Sequence, residues 1–211
     1  MIPPSPALPP ALDLIGIAVF ALTGALAAAQ MRQTFVTVAF FALITGVGGG
    51  SLRDLLIGAP VFWVHDRLVA PVCLGVAILA WFTPVRWWRG HILEWADALG
   101  LAVYAVFGTI KALHWGVPAV PAVLMGVITG CIGGIVRDVL AGQPSILMRP
   151  ELYVTAAALA AGVAGLGITA GLSPALTWAI AVLAGFGLRG AAIHWSLGLP
   201  LHPGEDDQSA H

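Results

Sequence analysis

Charge is what this chain has least of. Nine Lys and Arg and ten Asp and Glu make up 9% of its 211 residues, against roughly a quarter in ordinary soluble domains. That scarcity excludes a soluble globular domain, and the 59% of hydrophobic residues places the chain in a bilayer. A net charge of −1 leaves no basic footprint for nucleic acid. The two cysteines, Cys73 and Cys131, sit inside apolar runs, where a thiol acts as a small hydrophobe and no disulfide framework is implied. The six histidines, at 65, 91, 114, 194, 202 and 211, show no metal-ligand spacing with Cys, Asp or Glu, so no metal site is expected. There is no G-x-x-x-x-G-K-S/T loop to bind ATP. The glycine runs lack the soluble strand that a dinucleotide fold would need. No catalytic residue and no cofactor are expected, and the chain does not read as an enzyme.

Apolar runs of about 20 residues suffice to cross a bilayer, and seven of them are found. They lie at 12–29, 34–57, 68–84, 97–114, 118–141, 152–171 and 174–195. Residues 1–11, with five prolines and no charge, are expected to form a disordered or interfacial leader ahead of a membrane domain at 12–195. Residues 196–211 form a polar tail, and from Leu199 to His211, acidic at Glu205, Asp206 and Asp207, it is expected to be disordered.

One sentence is written twice in this chain. T-G-V-G-G-G-S-L-R-D-L-L-I-G-A-P at 45–60 recurs as T-G-C-I-G-G-I-V-R-D-V-L-A-G-Q-P at 129–144, an offset of 84 residues. Without a gap the same offset pairs Asp13 with Asp97, Gly16 with Gly100, Phe20 with Tyr104, Gly24 with Gly108 and Ala28 with Ala112. The chain is therefore two copies of one unit, repeat one at 12–90 and repeat two at 96–173, followed by an extra helix at 174–195. Three spans per copy make the second enter from the opposite side. The fold class is all-α, seven transmembrane helices in two inverted three-helix repeats plus a seventh helix. Such repeats are used by transporters whose substrate sites lie near the midplane.

Basic residues set the orientation. Arg32, Arg86, Arg89, Arg149 and Arg189 gather at one side and Arg67 with Lys111 at the other, so the first group is cytoplasmic. The N-terminus then lies outside and the C-terminus inside.

Two features carry the candidate chemistry. The glycines Gly48, Gly49, Gly50, Gly133 and Gly134 permit close helix approach, and each costs roughly 1 kcal/mol relative to Ala in a helix, which favours a kink or unwinding beside a polar pathway. The intramembrane charges Arg53, Asp54, Arg137 and Asp138 are costly in lipid and mark function or interhelical locks. Adjacent residues point about 100° apart on a helix, so each charge is expected to find its partner elsewhere, including on the other repeat. Lys111 breaks the symmetry, because its counterpart is Ala27. It reads either as a snorkelling lysine or as a gating charge. Asp13 and Asp97, near helix starts, complement the helix dipole.

The doubled Gly49-Gly50-Ser51-Leu52-Arg53-Asp54 and Gly133-Gly134-Ile135-Val136-Arg137-Asp138, with P-V-F-W at 60–63 and seven spans, resemble the prokaryotic trimeric intracellular cation channel family. The resemblance implies a homotrimer in a bacterial inner membrane, with one pore per subunit, conducting potassium and other monovalent cations and leaving room for bound lipid. It implies that helices two and five line the pore and kink at Gly48 to Gly50 and at Gly133-Gly134, and that Lys111 responds to voltage. Animal members carry Lys-Glu-Val where this chain has Lys111-Ala112-Leu113, and Ile132 replaces the first glycine of the second cluster. Bacterial proteins with the same duplicated domain are also assigned to glycine uptake. Besides the channel, a secondary transporter of a small solute such as glycine therefore stays open, and a membrane scaffold is a third reading.

Overall fold

The computed structural model describes residues 10–88 and 92–200. Among these the secondary structure is helical: α1 Pro10–Gln30, α2 Phe35–Leu56, α3 Phe62–His65, α4 Val69–Phe82, α5 Ile92–His114, α6 Ala119–Leu140, α7 Val154–Thr169 and α8 Pro174–Trp195. The seven longer helices fall on the seven expected spans. α5 starts five residues before the expected 97, and the single turn α3 fills what the sequence presents as a break. Most of the 1–11 leader lies outside the described residues, as do residues 201–211 of the tail.

Local chemistry explains the ends. Thr34 and Ser173 cap α2 and α8 by accepting the N–H of Thr37 and Leu176 on their hydroxyls, and Pro174 opens α8 with a φ already suited to a helix. α2 and α6 stop at Gly58 and Gly142, an equivalent pair with φ of 70° and 63°, where a side chain would be strained. The next equivalent pair is not conserved in type: α5 ends before Gly116 at φ 79°, while α1 ends at Arg32, which is held at φ 57°.

The packing is that of one unit used twice. α1, α2 and α4 pack on one another, and α5, α6 and α7 repeat the arrangement. Across the axis relating them α2 crosses α6 and α1 meets α5, while α8 lies outside the symmetry on α7 and α5. Each repeat has its own apolar core. Ile17, Leu26, Val38 and Cys73 are buried in the first, and Leu101, Val106, Cys131 and the alanines of α7 in the second. Phe20 and Tyr104, an equivalent pair, join the two edge to face, with ring centroids 5.4 Å apart. Among the described residues four helices are long and apolar enough to cross a bilayer by themselves. α4 and α7, at 14 and 16 residues, rise only about 21 and 24 Å at 1.5 Å per residue.

The described start of the polar tail pairs with the connection before α7. Gly198 bridges to Glu151, and Leu199 donates its N–H to the Pro150 carbonyl at 2.7 Å. Residues 196–199 are thus fastened to the α6–α7 connection by backbone pairing, which composition does not reveal.

Candidate functional site

The glycine clusters sit where α2 and α6 cross. A Cβ on Gly133 would stand 2.6 Å from the Thr45 carbonyl oxygen, and one on Gly49 would collide with the Thr129 carbonyl, the equivalent contact seen from the other helix. Within each repeat, Gly46 brings α2 against the Ile17 carbonyl of α1 and its equivalent Gly130 brings α6 against the Leu101 carbonyl of α5. Gly50 faces the ring of Phe62 and Gly134 the hydroxyl of Tyr153. Gly48 alone of the five is roomy, its nearest neighbour being the Gly133 Cα at 3.9 Å. The helical hydrogen bonding of α2 and α6 runs through both clusters. Unwinding, one of the two expected consequences of glycine, does not occur. The packed interface offsets the propensity cost, because backbones this close gain contacts that no side chain would allow.

The charged residues stand at opposite ends of this crossing. At one end Arg53 and Asp54 pair with each other, Nε to Oδ1 at 2.8 Å, and both are buried. Lys111 Nζ reaches the same Oδ1 at 2.7 Å from α5, on the other repeat. Asp54 Oδ2 accepts the Phe62 N–H at 3.0 Å, and the guanidinium lies 5.0 Å above the Phe107 ring. The other end repeats the plan: Arg137 Nε donates to Asp138 Oδ1 at 2.9 Å, and Asp138 Oδ2 accepts the Ile146 N–H at 2.9 Å. Here the additional partner is a carboxylate, Asp97, 3.2 Å from Arg137 Nη1.

Two expectations are corrected by this geometry. Adjacent Arg and Asp do pair, because the long arginine side chain folds back along its own helix and undoes the angular separation of the two Cβ atoms. Asp97 is a member of the ion network rather than only a complement to the helix dipole. Its equivalent, Asp13, has its side chain outside the described residues. Lys111 does reach across repeats, as foreseen for the pairs, and is bound to Asp54 rather than snorkelling free.

Beside the second network opens a cavity of about 740 Å³. It lies where α1, α6 and α8 end and α5 begins, and its charged walls are Glu94, Asp97, Asp138 and Glu151 with Arg137, Arg149 and Arg189. Arg189 is buried, 2.6 Å from Glu151 Oε2, with its guanidinium 5.3 Å from the Tyr153 ring centre. Thr23 and Ala27 of α1 line the cavity together with Asp138. None of the five candidate glycines lines the cavity. Sequence reasoning missed Glu151, Arg189 and Tyr153, which lie outside the duplicated motif. Asp97 carried a signal in its register with Asp13. Among the described residues no group of three or more His, Cys, Asp and Glu could hold a metal ion.

Comparison with known proteins places this arrangement. The model of the family described as "Glycine transporter" matches residues 10–84 and 94–169, one stretch in each repeat. A UPF0126 membrane protein of Vibrio cholerae is 38% identical over 195 residues, covering 90% of this chain and 80% of the relative. A solved trimeric intracellular cation channel orthologue from Rhodobacter sphaeroides superposes with a TM-score of 0.82 at 38% identity, covering 89% of this chain and 97% of that one. A structure described under conductance through TRIC cation channels gives 0.83 at 25% identity, covering 94% and 99%.

Proposed function

The chain belongs to the family described as glycine transporter, a membrane domain whose fold is shared with prokaryotic trimeric intracellular cation channels, and from that premise we propose that it is a homotrimeric channel for monovalent cations, potassium above all, with one pathway in each subunit. One observation carries the reading. The cavity at the end of α6 holds four carboxylates against three guanidiniums, in a protein where charge is scarce. Arginines beside a cation path would repel the ion if bare, but Arg137 is bound to Asp97 and Asp138 and Arg189 to Glu151. Arg149 also stands 3.8 Å from Glu151, so none of the three guanidiniums is bare, and carboxylates outnumber them around the cavity. The route onward runs between α2 and α6 past Gly48 to Gly50 and Gly133-Gly134, where the helices now touch. Conduction requires them to part, and the path ends at the Arg53, Asp54 and Lys111 network, with Lys111 as the charge that senses voltage. The protein sits in the bacterial inner membrane with the cavity end cytoplasmic, since Arg32, Arg86, Arg149 and Arg189 belong to that side.

A second reading is favoured by a specific feature, the one-sidedness of the opening. A cavity open at one end and a buried ion network at the other is also the form of a site exposed to one side at a time, and 740 Å³ exceeds what a bare ion needs. A secondary transporter of glycine fits that form. Reconstitution separates the two. A channel gives unitary potassium currents in a planar bilayer without any solute gradient. A transporter gives none, and instead exchanges labelled glycine for unlabelled glycine across proteoliposomes.

A further inference from the structure

The two ends of the pseudo-symmetric axis differ by one positive charge. At Asp54 the carboxylate is met by Arg53, by the Phe62 N–H and by the ammonium of Lys111 at 2.7 Å. At Asp138 the first two partners recur as Arg137 and the Ile146 N–H. The third does not, because the residue equivalent to Lys111 is Ala27. Ala27 and Asp138 line the same cavity. The charge count agrees: Arg137 is shared by Asp97 and Asp138, leaving that cluster one positive charge short. A net negative charge held away from bulk water is costly unless a cation joins it.

We propose that the space between Ala27 and Asp138 is a binding site for one monovalent cation of ammonium size, for which the Lys111 ammonium on Asp54 is the built-in counterpart at the other end of the axis. The ligand is a potassium ion or a primary ammonium group, since both carry one charge and match the volume of a lysine head. This rests on the reading that the cavity receives the permeant or transported species, and it names where that species pauses. Asp138 supplies the charge, Asp97 shares it through Arg137, and Thr23, which lines the same cavity and donates its hydroxyl to the Phe20 carbonyl at 2.8 Å, keeps oxygen lone pairs to accept a cation. The site lies at the mouth of the α2–α6 crossing, so a cation held there stands at the entrance to the closed segment.

The full-length protein in detergent tests this by its melting temperature at fixed ionic strength in potassium, methylammonium or N-methylglucamine chloride. The wild type should melt higher in potassium or methylammonium than in bulky N-methylglucamine, and the better of the two identifies the ligand. Ala27→Lys should place a tethered ammonium on Asp138, abolish that difference and melt at least as high as the filled wild type. Asp138→Asn, which keeps an acceptor for the Ile146 N–H, should abolish the difference without raising the melting temperature, and it serves if Ala27→Lys does not fold. Equal melting of the wild type in all three salts overturns the site, as does a response surviving in Ala27→Lys or Asp138→Asn. Bilayer recording keeps the two readings apart. Wild-type currents without a salt response overturn the site alone, and a salt response without currents overturns the channel alone.

Discussion

Gly49 and Gly133 stand in each other's place across the pseudo-two-fold axis. Each lies against a carbonyl of the opposite helix, Gly49 against Thr129 and Gly133 against Thr45, where a Cβ on the latter glycine would come to 2.6 Å. Two equivalent positions thus make two symmetry-related contacts, and both are backbone on backbone, which cannot rotate away.

Alanine at these glycines should therefore act by position. Helix propensity favours each Gly→Ala change by about 1 kcal/mol, while forced overpacking costs about 1 to 3 kcal/mol. The clash wins at Gly49 and Gly133, where the neighbour is backbone, and propensity wins at Gly48, where the nearest atom is 3.9 Å away. Thermal melting in detergent should rank Gly48→Ala at or above wild type and Gly49→Ala and Gly133→Ala well below it. Gly134→Ala should fall between, since the Tyr153 hydroxyl at 2.9 Å belongs to a side chain that can tilt. Equal melting of all four would mean that the crossing is looser than its geometry.

The repeat made most of this legible. Seven helices, their inversion and the pairing of motif positions follow from an 84-residue offset read in the sequence, because a duplicated unit must bury equivalent faces. Periodicity could not say how the Arg-Asp neighbours resolve, since arginine is long enough to fold back on its own helix and the Cβ angle does not limit it. Glu151 and Arg189 were illegible for another reason: they lie in a connection and in the added helix α8, where no second copy confirms a contact. The role of glycine was ambiguous for a third reason. Close packing and unwinding ask for the same residue, and only the Thr45 and Thr129 carbonyls decide between them.

Topology is checked from both ends of the chain. Cysteines introduced as Pro4→Cys and Gln208→Cys should react with a membrane-impermeant maleimide from opposite faces, Pro4→Cys from outside. An odd number of spans requires opposite sides, so labelling of both from outside would contradict the seven-helix count.

Assembly has an independent check. Native mass measurement of the detergent-solubilised protein should give three chains of 21.7 kDa, and cross-linking should stop at the trimer. The apolar side chains exposed on α4 and α7, among them Leu74, Ile78, Leu79, Leu159 and Leu166, face either lipid or neighbours. A uniform monomer would assign all of them to lipid.

The Asp54 network yields the sharpest test because its members should not add. Asp54 is fully buried and binds both Arg53 and Lys111. Asp54→Ala removes the shared anion and leaves two cations to repel one another, a defect of about 3 to 5 kcal/mol. Lys111→Met alone should cost only about 1 kcal/mol, since Asp54 keeps Arg53 and the Phe62 N–H. Combining the two should not sum these losses. Removing the lysine relieves the repulsion, so the double variant should melt above Asp54→Ala although it carries one more substitution. That inversion is what a shared carboxylate requires. Independent additivity, with the double variant lower than either single one, would mean that Lys111 is stabilised by groups other than Asp54 and that the link between the repeats at this end is not ionic.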